Sequence, residues 1–377
     1  MLILSAVNRE LVLLMKRFWV ALALFPFLGA SFTVATISAS PASAAACFSS
    51  FSNRTITDGL GSDAVLGVYV VGSNVYAATM NGLSISTDGG ATFTNKTTDD
   101  GLGANIVFSV YVVGSNIYAA TNGGLSISTN GGATFTNKTT DDGLGRNRVN
   151  GVYVVGSNIY AATFGGGLSI STNGGATFTN KTTTDGLGHN RLNGVYVVGS
   201  NIYAATNGGL SISTDGGTTF TNKTTANGLG TNLVSGVYVV GSNIYAATYG
   251  GLSIATDGGT TFTNKTTANG LGDNLVYSVY VVGSNIYAAT ENGGLSISTD
   301  GGTTFTSKTT ANGLGNNLVQ GVYVDDTNVY AATNGGLSIS TDCVSSSPPS
   351  TEGAAPAQVK PPTLAETGPD LSLVLVS

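Results

Sequence analysis

Side chains able to do chemistry are few in this 377-residue sequence, and they lie inside a repeated segment. Glu291 is the only glutamate of that segment, and His189 is the only histidine of the chain. A lone histidine forms neither a catalytic triad nor a metal site, so we expect no metal and no cofactor. Asp63 and Asp273 could form the carboxylate pair of a glycosidase, although most acids in loops are simply solvated.

These residues belong to seven near-identical units of 42 or 43 residues. The segment that begins Val68-Tyr-Val-Val-Gly-Ser-Asn returns with its first valine at positions 110, 152, 195, 237, 279 and 322. The first unit contains four strand-like runs, at 65–71, 74–79, 83–87 and 91–97, separated by Gly-rich turns. Four strands in about 40 residues is the spacing of a propeller blade. The sequence therefore predicts an all-β fold, a seven-bladed β-propeller of four-stranded antiparallel blades.

The two ends of the array are complementary. The last unit stops at Cys343 without its fourth strand, and residues 47–55 align with 89–97, which contain that strand in the first unit. An open solenoid would instead carry atypical capping repeats. We therefore expect an N-terminal strand to complete the last blade and close the ring.

The two cysteines offer a second sign of closure. Cys47 and Cys343 fall at the same repeat position, which in an exported protein favours a disulfide. The chain-entropy relation gives about 5 to 6 kcal/mol for so long a loop, as an upper figure. The alternative is a lipoprotein acylated at Cys47, which leaves Cys343 without a partner.

The segments outside the array indicate export. Residues 1–46 are typical of a signal peptide, with Lys16 and Arg17 before an apolar run over 18–37 and alanines at the cleavage site; Met15 could be the true start. The propeller is predicted over 47–343 and a Pro-, Ser- and Ala-rich linker over 344–363. A net charge of −6 provides no basic field, so nucleic acid is not an expected partner.

The turn Ser86-Thr-Asp88-Gly-Gly90-Ala-Thr92-Phe93 has the pattern S-x-D-x-G-x-T-F and resembles the Asp-box, or BNR repeat, of sialidase-like propellers. Its acidic or amide position recurs as Asp88, Asn130, Asn173, Asp215, Asp257, Asp300 and, truncated, Asp342. Asparagine keeps the hydrogen-bond acceptor and loses the charge, which favours a structural role over calcium or catalysis. Residues 59–83 also resemble the propeller repeat of two-component regulator sensor domains.

The copies differ mainly in two loops, the connection between blades and the turn between the second and third strands. In a four-stranded meander these loops lie at the same end of the blade, so we expect one variable face around the channel. The residues predicted to form this ligand-binding face are Phe108, Arg148, Phe164, His189, Arg191, Tyr249, Tyr277 and Glu291. Neutral drift after duplication is the alternative explanation.

The sialidase resemblance implies an arginine trio for a substrate carboxylate, a tyrosine nucleophile with a nearby glutamate, and an aspartic acid. The matching candidates here are Arg146, Arg148, Arg191, Asp273, Tyr277 and Glu291. The Arg-Ile-Pro signature is absent, and the arginines come from neighbouring blades. We therefore predict a non-catalytic binding, adhesion or scaffolding propeller that recognises a glycan or protein, with a sialidase-like glycoside hydrolase as the alternative.

The C-terminal stretch 364–377 contains Leu-Ala-Glu-Thr-Gly and resembles a sortase signal of the LAxTG type. The resemblance implies cleavage between Thr367 and Gly368 and transfer to peptidoglycan, with sortase and peptidoglycan as partners. The usual apolar span and basic tail are missing, so the signal is interpreted as either truncated or poorly retained. The expected location is secreted and cell-wall anchored or extracellular; the alternative for this stretch is a disordered tail.

Overall fold

The structure, a computed structural model, describes residues 50–340. It contains seven antiparallel sheets of four strands, and within six of them the strand order follows the chain. Six blades each use four consecutive strands, numbered from blade 1 near residue 65, and blade 7 combines the last three strands of the chain with the first one. The only helices among the described residues are 3₁₀ helices of three residues. The predicted all-β, seven-bladed propeller is confirmed.

The blades repeat the same four strand positions. The innermost strands are β2 Val65–Val71, β6 Val107–Val113, β10 Val149–Val155, β14 Leu192–Val198, β18 Val234–Val240, β22 Val276–Val282 and β26 Val319–Val324. The second strands are β3 Asn74–Thr79, β7 Asn116–Thr121, β11 Asn158–Thr163, β15 Asn201–Thr206, β19 Asn243–Thr248, β23 Asn285–Thr290 and β27 Val329–Thr333. The third strands are β4 Gly82–Ser86, β8 Gly124–Ser128, β12 Leu168–Ser171, β16 Gly209–Ser213, β20 Gly251–Ala255, β24 Leu295–Ser298 and β28 Gly336–Ser340. The outermost strands are β5 Thr94–Lys96, β9 Thr136–Lys138, β13 Thr179–Lys181, β17 Thr221–Lys223, β21 Thr263–Lys265, β25 Thr306–Lys308 and β1 Ser52–Arg54. The 3₁₀ helices precede the innermost strands and span Ile56–Asp58, Thr98–Asp100, Thr140–Asp142, Thr183–Asp185, Thr225–Asn227, Thr267–Asn269 and Thr310–Asn312.

The outermost strand is shorter than the sequence predicts. In blade 1 pairing begins only at β5, three residues later than the predicted run over 91–97. The backbone N–H groups of Ala91 and Thr92 instead donate to Oδ1 of Asp88, each at 3.0 Å. Because the turn uses these donors, they are not free for a sheet ladder.

The ring closes through the N-terminal strand, as predicted. Strand β1 pairs antiparallel with β28, with Ser52 opposite Ile339. Oδ1 of Asn53 accepts a hydrogen bond from Oγ of Ser338 at 3.0 Å. At the centre, the rings of Tyr69 and Tyr323 lie 5.3 Å apart, so blade 1 packs on blade 7. The third strand of blade 7 thus has no exposed edge.

The apolar core lies between neighbouring blades. The second strand of blade 1 is buried from Val75 to Thr79, and this Val/Ile-Tyr-Ala-Ala-Thr run recurs in the other blades. A strand covered on both faces has no polar alternation, which explains the continuous apolar pattern. The buried Thr79 hydroxyl is satisfied because it donates to the carbonyl of Gly82 at 2.9 Å.

Each blade has two distinct ends. We call one end the upper face; it carries the connections between blades and the turns between second and third strands. Hydrogen bonds join these two kinds of loop, such as that from the N–H of Met80 to the carbonyl of Ala64 at 3.1 Å. The lower face carries the turns between first and second strands and the turns between third and outermost strands, which resemble an Asp-box. Bonds such as that from the N–H of Gly89 to the carbonyl of Ser73, 2.9 Å, join the two kinds of turn. The two loops that vary most in sequence therefore share the upper face.

Several predicted features lie outside residues 50–340. These are the signal peptide, the Cys47–Cys343 disulfide, the truncated Asp-box at Asp342, the linker, and the sorting signal at Thr367 and Gly368. Each stays a prediction. Over residues 50–340, no helix combines the length and apolar character needed to cross a bilayer.

Candidate functional site

A β-bulge marks the most variable position of every innermost strand. In blade 1, Val65 pairs with Thr79 and Gly67 with Ala78, so Leu66 is the extra residue. The same register shift occurs in all seven blades, and the extra residues are Leu66, Phe108, Asn150, Asn193, Ser235, Tyr277 and Gln320. A bulge turns a side chain away from the regular alternation of a strand.

All seven bulge residues line a cavity of about 580 Å³ at the upper mouth of the channel. Four other side chains from the variable loops also line it: Met80, Arg148, Arg191 and Tyr249. The volume lies within the range of small-ligand sites. Sequence reasoning identified both loops as variable but missed the bulges; the glycine or serine that follows each one inside a strand is the signal that could have revealed them.

Two arginines and two phenylalanines form a stack on one side of this mouth. Cζ of Arg148 lies 4.2 Å from the ring centroid of Phe164 and 4.6 Å from that of Phe108. Cζ of Arg191 lies 4.1 Å from the centroid of Phe164. Such contacts hold a guanidinium by its face and leave its N–H edge to bind other groups.

Among residues 50–340, no acid forms an ion pair with Arg148 or Arg191. The ion pairs among the described residues are Lys96–Asp100, Lys138–Asp142 and Lys181–Asp185, all on the outer rim. Nε of Arg148 donates to Oδ1 of Asn150 at 3.1 Å, whereas Nε of Arg191 is buried without a hydrogen-bond partner. Burial, and then the charge of Arg191, hold the pKa of Arg148 below its usual range.

A second group of contacts joins Tyr249 of blade 5 to Tyr277 of blade 6, and Tyr277 to Glu291 of the same blade. The Tyr277 hydroxyl donates to Oε1 of Glu291 at 3.1 Å, and the rings of Tyr249 and Tyr277 meet edge to face at 6.3 Å. Burial, followed by the hydrogen bond to Glu291, raises the pKa of Tyr277 to about 12. The hydroxyl is therefore neutral at physiological pH and acts as a donor.

Phe164 and Glu291 occupy matching positions in the two longer repeats. The turns between second and third strands in blades 3 and 6 carry one extra residue, and their third strands begin at Leu168 and Leu295 rather than at a glycine. The N–H of Phe164 donates to the carbonyl of Arg148 at 2.9 Å, and Phe164 forms an isolated bridge with Arg191. In blade 3, the longer turn therefore contains Phe164, the aromatic residue whose ring contacts both Arg148 and Arg191.

Five predicted site residues do not line the cavity: Arg146, Phe164, His189, Asp273 and Glu291. Phe164 contacts the two arginines that do. Arg146 is exposed beside Gly165 and is not one of the arginines that contact the phenylalanine rings. Nδ1 of His189 accepts from the N–H of Arg191 at 2.8 Å, and Oδ1 of Asp273 accepts from the N–H of Leu275 at 3.0 Å. These two side chains bond to their own loops. Glu291 is also outside the lining and reaches the cavity only through Tyr277.

Three of the bulge residues at the mouth form hydrogen bonds to the neighbouring blade. Nδ2 of Asn150 donates to the carbonyl of Leu192, and Nδ2 of Asn193 donates to that of Val234, both at 2.7 Å. The Ser235 hydroxyl makes the corresponding bond to Val276. These three bulge residues thus stabilise the contact between blades, a role that sequence comparison does not reveal.

Below the mouth, the channel wall contains seven tyrosines whose neighbouring ring centroids lie 4.8 to 5.3 Å apart in a closed circle: Tyr69, Tyr111, Tyr153, Tyr196, Tyr238, Tyr280 and Tyr323. Burial is the main cause that raises each of their pKa values, so the circle stays neutral. A lower cavity of about 650 Å³ is lined by these rings and by Asp326, where blade 7 departs from the Gly-Ser turn of the other blades.

The turns that resemble an Asp-box lie on the lower face, opposite the variable loops. Oδ2 of Asp88 accepts from the Thr92 hydroxyl at 2.7 Å; in blade 2, Oδ1 of Asn130 accepts from the N–H of Thr134 at 3.0 Å. The acid and the amide therefore support the same turn. Over residues 50–340 the acids and His189 nowhere gather in a group of three that could hold a metal ion.

No family model and no curated protein matches the sequence. Many solved structures share the fold. The extracellular domain of a candidate hybrid two-component system from B. thetaiotaomicron is 20% identical, with a TM-score of 0.66, over 78% of this chain and 42% of its own. YCF48 bound to D1 peptide is 14% identical, with a TM-score of 0.59, over 74% and 94%. An ancestral GH74 enzyme is 16% identical, with a TM-score of 0.56, over 77% and 46%. At these identities the likeness establishes the propeller fold alone, and this chain spans about two fifths of the first neighbour's length.

Proposed function

We propose that the chain is an exported, non-catalytic binding propeller that recognises a glycan or a protein at the upper mouth of its channel. The observation that carries the proposal is the lining of that mouth. Seven nearly identical blades differ at the bulge residues, and all seven bulge residues line one cavity together with Arg148 and Arg191. Binding residues commonly lie on loops that a rigid scaffold carries.

The known structures support the proposal without deciding the ligand. One neighbour is an extracellular domain, and another, YCF48, is described with a bound peptide. The predicted signal peptide favours export, and the predicted sorting motif favours display on a cell wall, with sortase and peptidoglycan as proposed partners.

Glycan and protein arrays test this function. We expect the mature protein to bind a defined ligand, and an Arg148→Ala, Arg191→Ala double variant to lose most of that binding. Arg146→Ala is the matched control, because this arginine is exposed and lies outside the cavity. Binding that survives the double variant and also survives Tyr249→Ala would remove the upper mouth from the function.

The Tyr277–Glu291 pair favours a second candidate, a sialidase-like glycoside hydrolase. A tyrosine beside a glutamate at 3.1 Å is the arrangement that a tyrosine nucleophile requires. If this function holds, the chain releases a fluorogenic leaving group from a sialoside, and Tyr277→Phe abolishes the release. An inactive wild type across sialosides and glucans would dismiss it.

A further inference from the structure

The lower cavity is a second hollow of ligand size, at the other end of the channel from the upper mouth. Its volume is about 650 Å³, and its wall combines the seven channel tyrosines with valines of the innermost strands. Cavities of this volume hold small ligands. The proposed binding function uses the upper mouth and leaves this cavity without a role.

One acid gives the lower cavity its charge. Asp326 is the only charged side chain among the lining residues that the structure describes. It lies in the turn between the first two strands of blade 7, at the position where the other six blades carry a glycine. Its side chain is exposed and has no hydrogen-bond or ion-pair partner within residues 50–340. The cavity therefore presents a single free carboxylate.

The turn itself does not need this acid. The preceding residue, Asp325, supports the local structure, because its Oδ1 accepts from the N–H groups of Thr327 and Asn328 at 2.8 and 2.7 Å. Oδ2 of Asp325 also accepts from the Tyr330 hydroxyl at 3.0 Å. The local fold thus accounts for Asp325 and leaves Asp326 available to a ligand.

The wall beside the acid suits an alkyl chain that ends in a cation. Tyr69 and Tyr323 line the cavity, and burial raises the pKa of each, so their hydroxyls stay neutral. A neutral phenol accepts a hydrogen bond from an ammonium N–H, and its ring attracts positive charge. Towards the lower face, Val71 lines the cavity, and its counterparts Val198 and Val240 are exposed. These valines add apolar surface to the aromatic wall.

We propose that the lower cavity is a second binding site that takes a primary alkylammonium group, with the ammonium at the Asp326 carboxylate and the alkyl chain along the circle of seven tyrosines. A primary ammonium provides the N–H donors that carboxylate and phenol oxygens accept, whereas a quaternary ammonium has none. This site goes beyond the proposed function, which concerns the upper mouth, and does not depend on it.

The test compares n-hexylamine with hexan-1-ol and with methylamine by calorimetric titration of the full mature chain at neutral pH. We expect the hexylammonium ion to bind at least about tenfold more tightly than either, because the alcohol lacks the charge and methylammonium lacks the chain. Higher salt should weaken its binding. Asp326→Asn should weaken it about tenfold, and Asp326→Gly, which restores the residue of the other blades, should do the same.

Asp300→Asn is the matched control, because it removes one negative charge from a turn on the same face but outside the cavity. It should bind hexylammonium as wild type does, and thermal denaturation of each variant should match wild type within a few degrees. Equal binding of hexylammonium and hexan-1-ol, or unchanged binding by both Asp326 variants, would overturn the assignment of the ammonium to Asp326. Binding that survives in Asp326→Asn and is lost in Glu291→Gln would place the cation at the upper mouth instead.

Two further ligands test the chemistry of the group. Equal binding of hexylammonium and methylammonium would overturn the contact with the tyrosines, and tighter binding of hexyltrimethylammonium would overturn the primary-ammonium assignment. The peptide acetyl-Gly-Lys-Gly-amide distinguishes the lysine side chain of a protein from a free amine as the source. Tighter binding of the peptide than of hexylamine, lost in Asp326→Asn, supports the site with a protein ligand; the reverse order supports it with a free amine.

Discussion

At the residue scale, the aspartate of a turn that resembles an Asp-box, such as Asp300, accepts hydrogen bonds from its own loop. Oδ1 of Asp300 accepts from the N–H groups of Thr303 and Thr304 at 2.9 and 3.0 Å, and Oδ2 accepts from the Thr304 hydroxyl at 2.7 Å. These bonds favour the ionised carboxylate, and those from Thr304 lower the pKa of Asp300 to about 2. Asparagine in blades 2 and 3 performs the same task without a charge.

A prediction follows for stability in acid. Because the folded pKa of Asp300 lies below its unfolded value, its contribution is present above about pH 4 and is lost as pH falls towards 2. Thermal denaturation between pH 2 and 7 should show the melting temperature falling below pH 4. Asp300→Asn should reduce that fall by the share of one turn, since Asp88, Asp215 and Asp257 also have lowered pKa values, and should leave the neutral value nearly unchanged. Asp300→Ala should lower the neutral value. An identical acid profile in Asp300→Asn would contradict this account.

At the element scale, the innermost strands of neighbouring blades approach closely beside their bulges. A Cβ added to Gly236 would lie 3.1 Å from the carbonyl oxygen of Tyr277 in the next blade, whereas one added to Gly194 would lie 3.6 Å from its nearest atom. Blades 2 and 6 carry Ser109 and Ser278 at this position, so a small side chain is tolerated there.

Gly236→Val should therefore separate blades 5 and 6 and lower the free energy of unfolding by about 1 to 3 kcal/mol. Gly194→Val is the matched control, and Gly236→Ser should fall between them. Urea denaturation measures all three. If Gly236→Val and Gly194→Val lose equal free energy of unfolding, the close approach of the next blade at Gly236 is not the cause of the loss.

At the scale of the whole array, closure depends on a short strand from the other end of the chain. Strand β1 pairs with β28 through three residues, and Nε of Arg54 donates to the carbonyl of Gly90 in blade 1 at 2.7 Å. The N–H of Phe51 donates to the carbonyl of Asn312 at 2.8 Å. The segment thus joins blades 7 and 1.

Removal of residues 47–55 should expose the edge of β28, lower the melting temperature and promote association between copies. A synthetic peptide of residues 47–58 added in trans should restore the melting temperature, and a scrambled peptide should not. Intact mass spectrometry without reductant separately tests the predicted Cys47–Cys343 bond. A truncated protein that melts as wild type does would contradict closure by this strand.

The sequence by itself determined the blade number, the strand order and the closure. These follow from a local pattern that repeats seven times and from complementary fragments at its ends, and both can be identified without coordinates. It also placed the variable loops at one end of the blade, because antiparallel strands alternate direction.

Only the tertiary structure decided which variable residues meet. A one-residue bulge directs Tyr277 and Gln320 to the same cavity, and no local pattern encodes which way a bulge points. Arg146 and Arg148 are two residues apart, yet only Arg148 joins the stack with Phe164. The position of each of these side chains depends on packing between blades. That packing arises from contacts between residues about 40 positions apart, and the near-identity of the repeats does not reveal it.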